Sequence, residues 1–296
     1  MTLREALTLA AHQFDADPHL HAQARSDAEL LLLHTLHISR ATLLAHPIRE
    51  LTPQEQSLYQ QSLARRLLHE PIQYITGHQE FYGLDLCVTS AVLIPRPETE
   101  HLVEAVLTHF KPLATQPLRI ADIGTGSGAI ALALAAHLPQ AEITALDLSP
   151  EALHIAEANA RQHNLAHRIR FLRSDLLSAI THEEQASQPF DAIVSNPPYV
   201  PDADAPQLHP QVRDYEPHTA LFAGPTGLDI YRRLIPQAHA ALKPGGLLAL
   251  EIGHGQRPAL ADLLVSWQSV SFLNDLQQTP RVVLARTKAI TSPPHP

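Results

Sequence analysis

The hydrophobic positions change period twice along the chain. Over residues 1 to about 75 they recur at helical spacing, as in Leu3, Leu7 and Leu9 and in Ala28, Leu31, Leu32 and Leu36, the mark of helices with one apolar face. Thr52-Pro53-Gln54-Glu55 reads as a helix start. Thr52 is the N-cap, Pro53 takes the first helical position, and Glu55 stands three residues after the cap. That helix should run to about His69, with Pro71 ending it. No cluster of chemically active side chains stands in this stretch, so it reads as a helical bundle for docking. Between 76 and 96 the period shortens. Glu80-Phe81-Tyr82, Gly83 and Leu84-Asp85-Leu86-Cys87-Val88 predict a β-hairpin. A helix over 98–110 follows, with acids in its first turn.

From residue 118 strands and helices alternate. Strands are expected at 118–123, 142–147, 168–172, 190–195 and 246–252, with helices at 127–137, 150–163 and 228–242. Such alternation predicts an α/β fold, a doubly wound and mostly parallel sheet with helices on both faces. The last two strands, about 269–273 and 281–286, are too close for a helical crossover and should pair antiparallel. The resulting domains are a helical one over 1–75, a hairpin linker over 76–96, a catalytic domain over 97–287 and a frayed tail over 288–296, which carries Pro293, Pro294 and Pro296.

Composition narrows the partners. The chain has 296 residues, 45% of them apolar, and a formal net charge of -9. An acidic chain with no long Lys/Arg run favours a protein or small-molecule substrate over nucleic acid. The single cysteine, Cys87, excludes an internal disulfide and sits in a strand-like run where it packs; a reducing, cytoplasmic compartment is expected. Residues 1–15 read as an amphipathic helix rather than a signal peptide. No apolar run approaches the roughly 18 residues of a membrane span. The 20 histidines are scattered, and no pair at ligand spacing has a cysteine beside it, so no metal is expected.

Two motifs carry the chemistry. Asp122-Ile123-Gly124-Thr125-Gly126-Ser127-Gly128 closes the first strand of the alternating region. Glycines between strand and helix let a ligand approach the backbone. The spacing is GxGxG, unlike the GxGxxG of dinucleotide sites. Asp122 is poor company for a pyrophosphate but suits a cation such as the ammonium of a methionine moiety. Asp147 closes the next strand and can accept from both ribose hydroxyls; helix capping is its other role, although Ser149-Pro150-Glu151 already serves there. Asp175 follows the third strand and can either accept from an adenine amino group or cap the next helix. Adenosine plus methionine, hence S-adenosylmethionine, fits this set better than NAD.

The second motif is Asn196-Pro197-Pro198-Tyr199, which ends the apolar strand Phe190 to Ser195. An amide or ring-amine nitrogen is a poor nucleophile because its lone pair is delocalised. Two acceptors on its N–H bonds, the Asn196 side-chain oxygen and the Pro197 carbonyl, would orient the lone pair and disperse positive charge building on nitrogen. Pro197 and Pro198 stiffen the loop, and Tyr199 offers a flat face to a planar group. No strong base is required, because a methylated amide nitrogen is strongly acidic until it loses its proton. A rigid Pro-Pro turn is the purely structural alternative.

At these residues the chain resembles the HemK/PrmC family of peptide chain release factor glutamine N5-methyltransferases. The narrowest element of the resemblance is Val92-Leu93-Ile94-Pro95-Arg96-Pro97-Glu98-Thr99-Glu100, supported by Phe81-Tyr82-Gly83-Leu84, Lys243-Pro244-Gly245-Gly246 and Arg281-Val282-Val283. It implies a seven-stranded class I methyltransferase domain behind a small helical domain. It also implies that Gly124, Thr125, Gly126, Ser127, Gly128 and Asp147 hold S-adenosylmethionine, with Asp122, Asp175, Leu176 and Asn196 against the same cofactor. Asn196, Pro197, Pro198 and Tyr199 would hold the glutamine of the release factor's Gly-Gly-Gln loop, and methylation there would support translation termination. The helical domain and hairpin would dock the release factor. Arg96 to Glu100 belong either near the methionine end or simply to a helix start. The chain departs from many members at Leu176, where they carry Trp, giving up aromatic stacking on adenine. The rival readings are a ribosomal-protein glutamine methyltransferase, an N6-adenine methyltransferase and a non-catalytic scaffold. A monomer, free of nucleic acid and membrane, is expected.

Overall fold

The computed structural model describes residues 1–180 and 187–289, so most of the expected frayed tail, 288–296, lies outside the described residues. By its internal contacts the chain divides into two units.

The first unit comprises Met1–His78 together with Pro206–Glu216. Its helices are α1 (Leu3–Asp15), α2 (Ala24–Leu36), α3 (Arg40–Ala45), α4 (Pro53–Leu67) and α5 (Ile72–Thr76), and a single helical turn, Pro210–Arg213, lies in the second segment. Helix α1 buries Leu3, Ala6, Leu7, Ala10 and Phe14, one face at three- and four-residue spacing. Leu9 falls off that face and is 56% exposed. Thr52 and Glu55 form the expected reciprocal capping box. Helix α4 stops two residues short of His69, which adopts a left-handed φ of 66°. At the centre of the unit the Arg66 Nε of α4 donates to the Asp27 Oδ2 of α2 at 2.8 Å, both side chains being only 3% exposed. Tyr59 donates to the Ala28 carbonyl beside them.

Removing one partner of such a pair strands the other as a buried charge. Arg66→Met is therefore expected to destabilise the protein by about 3–5 kcal/mol, read from urea unfolding. A loss below about 1 kcal/mol would show that Asp27 reaches water without Arg66.

The second unit comprises Gln79–Ala205 and Pro217–Pro296. A two-stranded hairpin, β1 (His78–Phe81) and β2 (Leu84–Cys87), turns through Tyr82 and Gly83, both at positive φ, as a two-residue hairpin turn that follows strand twist requires. Helix α6 (Glu100–Phe110) follows a 3-10 turn over Pro97–Thr99. Then come β3 (Leu118–Ile123), α7 (Ala129–His137), β4 (Ala141–Asp147), α8 (Pro150–Gln162), β5 (Ile169–Arg173), β6 (Phe190–Ser195), α9 (Asp229–Ala241), β7 (Leu242–Glu251), α10 (Arg257–Leu263), β8 (Gln268–Asn274) and β9 (Pro280–Arg286).

The seven strands lie in the order β5-β4-β3-β6-β7-β9-β8. Neighbours pair parallel except at β9, which runs antiparallel to both β7 and β8. Both faces are buried. Helices α6 and α7 and the hairpin cover one, and Tyr231, Leu234 and Ile235 of α9 pack on the other. Helix α7 is buried at every position from Ala129 to Ala135, which explains why it carries no polar stripe. Strand β7 begins four residues before the expected 246. Its pairing shifts between Phe190↔Leu242 and Ala192↔Leu247, so Pro244, Gly245 and Gly246 form a bulge inside the strand rather than a turn before it. Among the described residues no helix is long and apolar enough to cross a membrane.

Candidate active site

Strand order reverses between β3 and β6. From β3 the chain proceeds outward to β4 and β5; from β6 it proceeds the other way to β7. The loops leaving two such strands part, and the crevice between them is where an open α/β sheet accommodates a ligand. The parting is pinned. Ile123 and Ser195 are partners in register, and the buried Ser195 hydroxyl donates to the Ile123 carbonyl at 2.6 Å. The next residues, Gly124 and Asn196, stand on the two sides of the crevice.

A cavity of about 370 Å³ opens there, within the range of small-ligand sites. The glycine turn from Gly124 to Ser127 forms one wall, with Asp147 at the end of β4 and Asp175 and Leu176 after β5. Asn196 and Pro198 form another, and Arg96 and Thr99 a third. Nine of the expected site residues thus meet in one space. Asp122, Gly128, Pro197 and Tyr199 adjoin these lining residues in the chain but do not themselves line the cavity.

The turn is shaped by hydrogen bonds. Gly124 and Thr125 both donate to the Leu146 carbonyl at 2.8 and 3.0 Å. Gly126 donates to Asp147 Oδ2 at 2.9 Å, while Asp147 Oδ1 accepts from the Ser149 amide. Each carboxylate oxygen keeps lone-pair capacity toward the cavity. Burial raises the Asp147 pKa against these hydrogen bonds. Gly128 has φ 84°, and a Cβ there would lie 3.1 Å from Leu132 and 3.2 Å from Ala156, so the turn meets α7 through a residue without a side chain. At Gly124 and Gly126 nothing stands within 4 Å of the position a Cβ would take. That open cradle fits a ligand lying along the backbone.

Asp122 is 0% exposed beneath the turn. Its Oδ2 accepts from the Thr125 hydroxyl at 2.7 Å and the Ala131 amide at 3.1 Å. Its Oδ1 has no hydrogen-bond partner among the described residues. Burial pushes its carboxyl up to about 7. At the far end of the cavity Asp175 pairs with Arg233 of α9 at 2.6 Å, a half-exposed pair. Leu176 adopts a left-handed φ of 54°, an uncommon conformation for a branched side chain.

Asn159, Gln256 and Glu251, which no motif marks, and Thr99, within the run Val92 to Glu100, support these walls through hydrogen bonds; of the four, Thr99 alone lines the cavity. Asn159 of α8 is fully buried; its Nδ2 donates to the carbonyls of Ser127 and Cys87, and its Oδ1 accepts from the Cys87 amide. It joins the glycine turn to the hairpin. Gln256 donates to the Tyr199 carbonyl at 3.0 Å. Thr99 and Glu251 meet behind Asn196. The Asn196 Nδ2 donates to Thr99 Oγ1 at 3.0 Å, Thr99 Oγ1 donates to Glu251 Oε2 at 2.6 Å, and the Tyr199 hydroxyl donates to Glu251 Oε1 at 3.3 Å. Glu251 is detectable in principle: like Asp147, it is an acid closing a buried apolar strand. Asn159 gives no such signal.

An open doubly wound sheet of this order, with a glycine turn after its first strand and an acid ending the second, defines a class I S-adenosylmethionine-dependent methyltransferase. Residues 5–77 match the PrmC N-terminal domain and residues 99–209 the methyltransferase small domain. The release factor glutamine methyltransferase of Koribacter versatilis (strain Ellin345) is 48% identical over 288 residues, covering 97% of this chain and 99% of that one. That of Moorella thermoacetica is 48% identical over 263 residues, 89% of each chain. Among solved structures, the T. thermophilus 16S rRNA N2 G1207 methyltransferase in complex with AdoMet and guanosine aligns with a TM-score of 0.51 and 21% identity, over 71% of this chain and 50% of that one, a likeness of fold. This chain belongs to the release factor glutamine methyltransferase family.

Burial of Glu251, 1% exposed, raises its carboxyl from its usual 4.5 to about 7, against the hydrogen bond from Thr99 and the charge of Arg281. Between those values the folded protein holds a proton that the unfolded chain has released. The contribution of this group to stability is therefore full below the lower value and is lost as pH rises through the upper one. Glu251→Gln does not titrate, so its unfolding free energy relative to wild type is expected to climb from about pH 5 to about pH 8. A difference that stayed flat in paired urea titrations would mean that Glu251 keeps an ordinary pKa.

Proposed function

We propose that this protein transfers a methyl group from S-adenosylmethionine to the side-chain amide nitrogen of the glutamine in the Gly-Gly-Gln motif of peptide chain release factors. The observation that carries the reading is the placing of Asn196 in the same cavity as the open glycine cradle. A donor on one wall and an acceptor on the next bring two reacting groups together without water between them.

When bound, the cofactor supplies an electrophilic sulfonium methyl group. The chain does the rest by holding and orienting. Gly124, Thr125, Gly126 and Ser127 offer backbone to the cofactor, and Asp147 accepts from its ribose hydroxyls. Asp122 supports the methionine end from beneath the turn, its unpartnered oxygen favouring a cation there. Asp175 and Leu176 flank the adenine end, Leu176 covering the ring with an aliphatic face.

The substrate amide donates its two N–H bonds to the Asn196 side-chain oxygen and the Pro197 carbonyl. That arrangement turns the nitrogen lone pair toward the methyl group and spreads the positive charge that grows as the N–C bond forms. Pro197 and Pro198 keep both acceptors fixed before substrate arrives. Tyr199 braces the loop through its hydroxyl. The nitrogen then releases its proton to solvent, the C–S bond having broken with its electron pair kept on sulfur.

Mass spectrometry of an unmethylated release factor, incubated with the protein and S-adenosylmethionine, is expected to show one added methyl group. Asn196→Ala is expected to abolish that gain while leaving cofactor affinity within about twofold. Near-normal turnover by this variant would remove Asn196 from the acceptor role. By calorimetry, Asp147→Ala is expected to weaken cofactor binding by about 1.5–3 kcal/mol for each charged hydrogen bond lost; unchanged affinity would overturn the ribose assignment.

A further inference from the structure

An asparagine amide can present either end to a cavity, and only the oxygen can accept from a substrate N–H. What decides which end faces inward lies behind Asn196. Thr99 is 4% exposed and Glu251 is 1% exposed, so neither can trade its protein partner for water. A hydroxyl carries a single proton. With Glu251 ionised, as it is above about pH 7, the Thr99 proton goes to Glu251 Oε2 at 2.6 Å, leaving Thr99 Oγ1 only its lone pairs for Asn196. The contact with Asn196 is therefore one in which Nδ2 donates, at 3.0 Å. The Asn196 Oδ1 takes no hydrogen bond from any described residue and is the end left for the cavity that Asn196 lines.

Glu251 is itself held in place. It ends β7, immediately after Leu250, which pairs with Ser195 in register. Its own carbonyl accepts from the Tyr231 hydroxyl at 2.8 Å. Its second carboxylate oxygen accepts from Tyr199, so one buried carboxylate braces both ends of the tetrapeptide.

We infer that Thr99 and Glu251 are positioning residues which fix the Asn196 amide with its oxygen toward the substrate. The inference rests on the reading of Asn196 as the acceptor of the substrate N–H. Turning the amide over would set Oδ1 against the lone pairs of Thr99 and Nδ2 against the substrate hydrogens, losing two hydrogen bonds at once. Sequence motifs alone do not suggest the coupling, because Thr99 lies 97 residues from Asn196 and Glu251 lies 152 from Thr99.

The test is steady-state kinetics on an unmethylated release factor with Thr99→Val, which keeps the volume and removes the hydroxyl. Expected is a fall in kcat of about 10- to 100-fold, with cofactor Kd within about twofold of wild type. Thr99→Ser, which restores the hydroxyl, should return kcat to within about threefold. Should Thr99→Val fail to fold, Thr99→Cys carries the same test and should fall between Ser and Val.

A wild-type kcat for Thr99→Val or Thr99→Cys, alongside an inactive Asn196→Ala, would overturn the positioning role and leave the function intact. Full recovery of kcat at saturating cofactor would also overturn it, making Thr99 a cofactor contact. An active Asn196→Ala would instead bring down the functional reading on which this inference stands.

Discussion

The site depends on one constraint: β3 and β6 lie side by side in parallel, and the chain leaves them in opposite directions. The hydrogen bond from Ser195 to the Ile123 carbonyl fixes the point of parting. One residue later on each strand the backbone must carry either the glycine turn or the asparagine, so the two walls face each other with no further device. Strands β4 and β7 each add an acid at the same level, Asp147 toward the turn and Glu251 toward Asn196. The cavity is thus a consequence of strand order, and its chemistry a consequence of which residue ends each strand.

Much of this was legible in the chain itself. The change from helical spacing to alternating strand and helix marked the two kinds of architecture, and the capping box at Thr52 and the closing β8–β9 pair fell where their local chemistry put them. The glycine turn and the tetrapeptide after β6 could be read because their residue types are unusual at strand ends. Strand β7 was harder: Pro244, Gly245 and Gly246 carry the chemistry of a turn, and only the pairing of Leu242 and Leu247 on either side with β6 makes them a bulge inside a strand. The attachment of Pro206–Glu216 to the first unit has no periodicity to announce it. Asn159 and Gln256 were invisible for a related reason, and Thr99, although it lies in the run Val92 to Glu100, gave no sign of its partners. Their roles come from partners distant in sequence, and a buried polar side chain on an amphipathic helix looks like any solvated one.

Two carboxylates in the catalytic unit are buried deeply enough to be raised to about 7, Asp122 and Glu251. Each costs stability when ionised, and each stands directly behind a wall of the cavity. Asp122 shapes the glycine turn from below through Thr125 and Ala131. Glu251 shapes the tetrapeptide through Thr99 and Tyr199. The two arrangements are alike: a buried acid organises a loop, and it is the loop rather than the acid that lines the cavity. Such an arrangement suits the proposed acceptor role of Asn196, in which the work required is orientation rather than proton abstraction.

The most direct test of the account is a competition in one vessel. An unmethylated release factor, a ribosomal-protein substrate for glutamine methylation and an adenine-containing oligonucleotide would share labelled S-adenosylmethionine with this protein. The account predicts label on the release factor alone, located by fragmentation to the Gly-Gly-Gln glutamine. Label on the ribosomal protein or the oligonucleotide, with the release factor left unmodified, would contradict it.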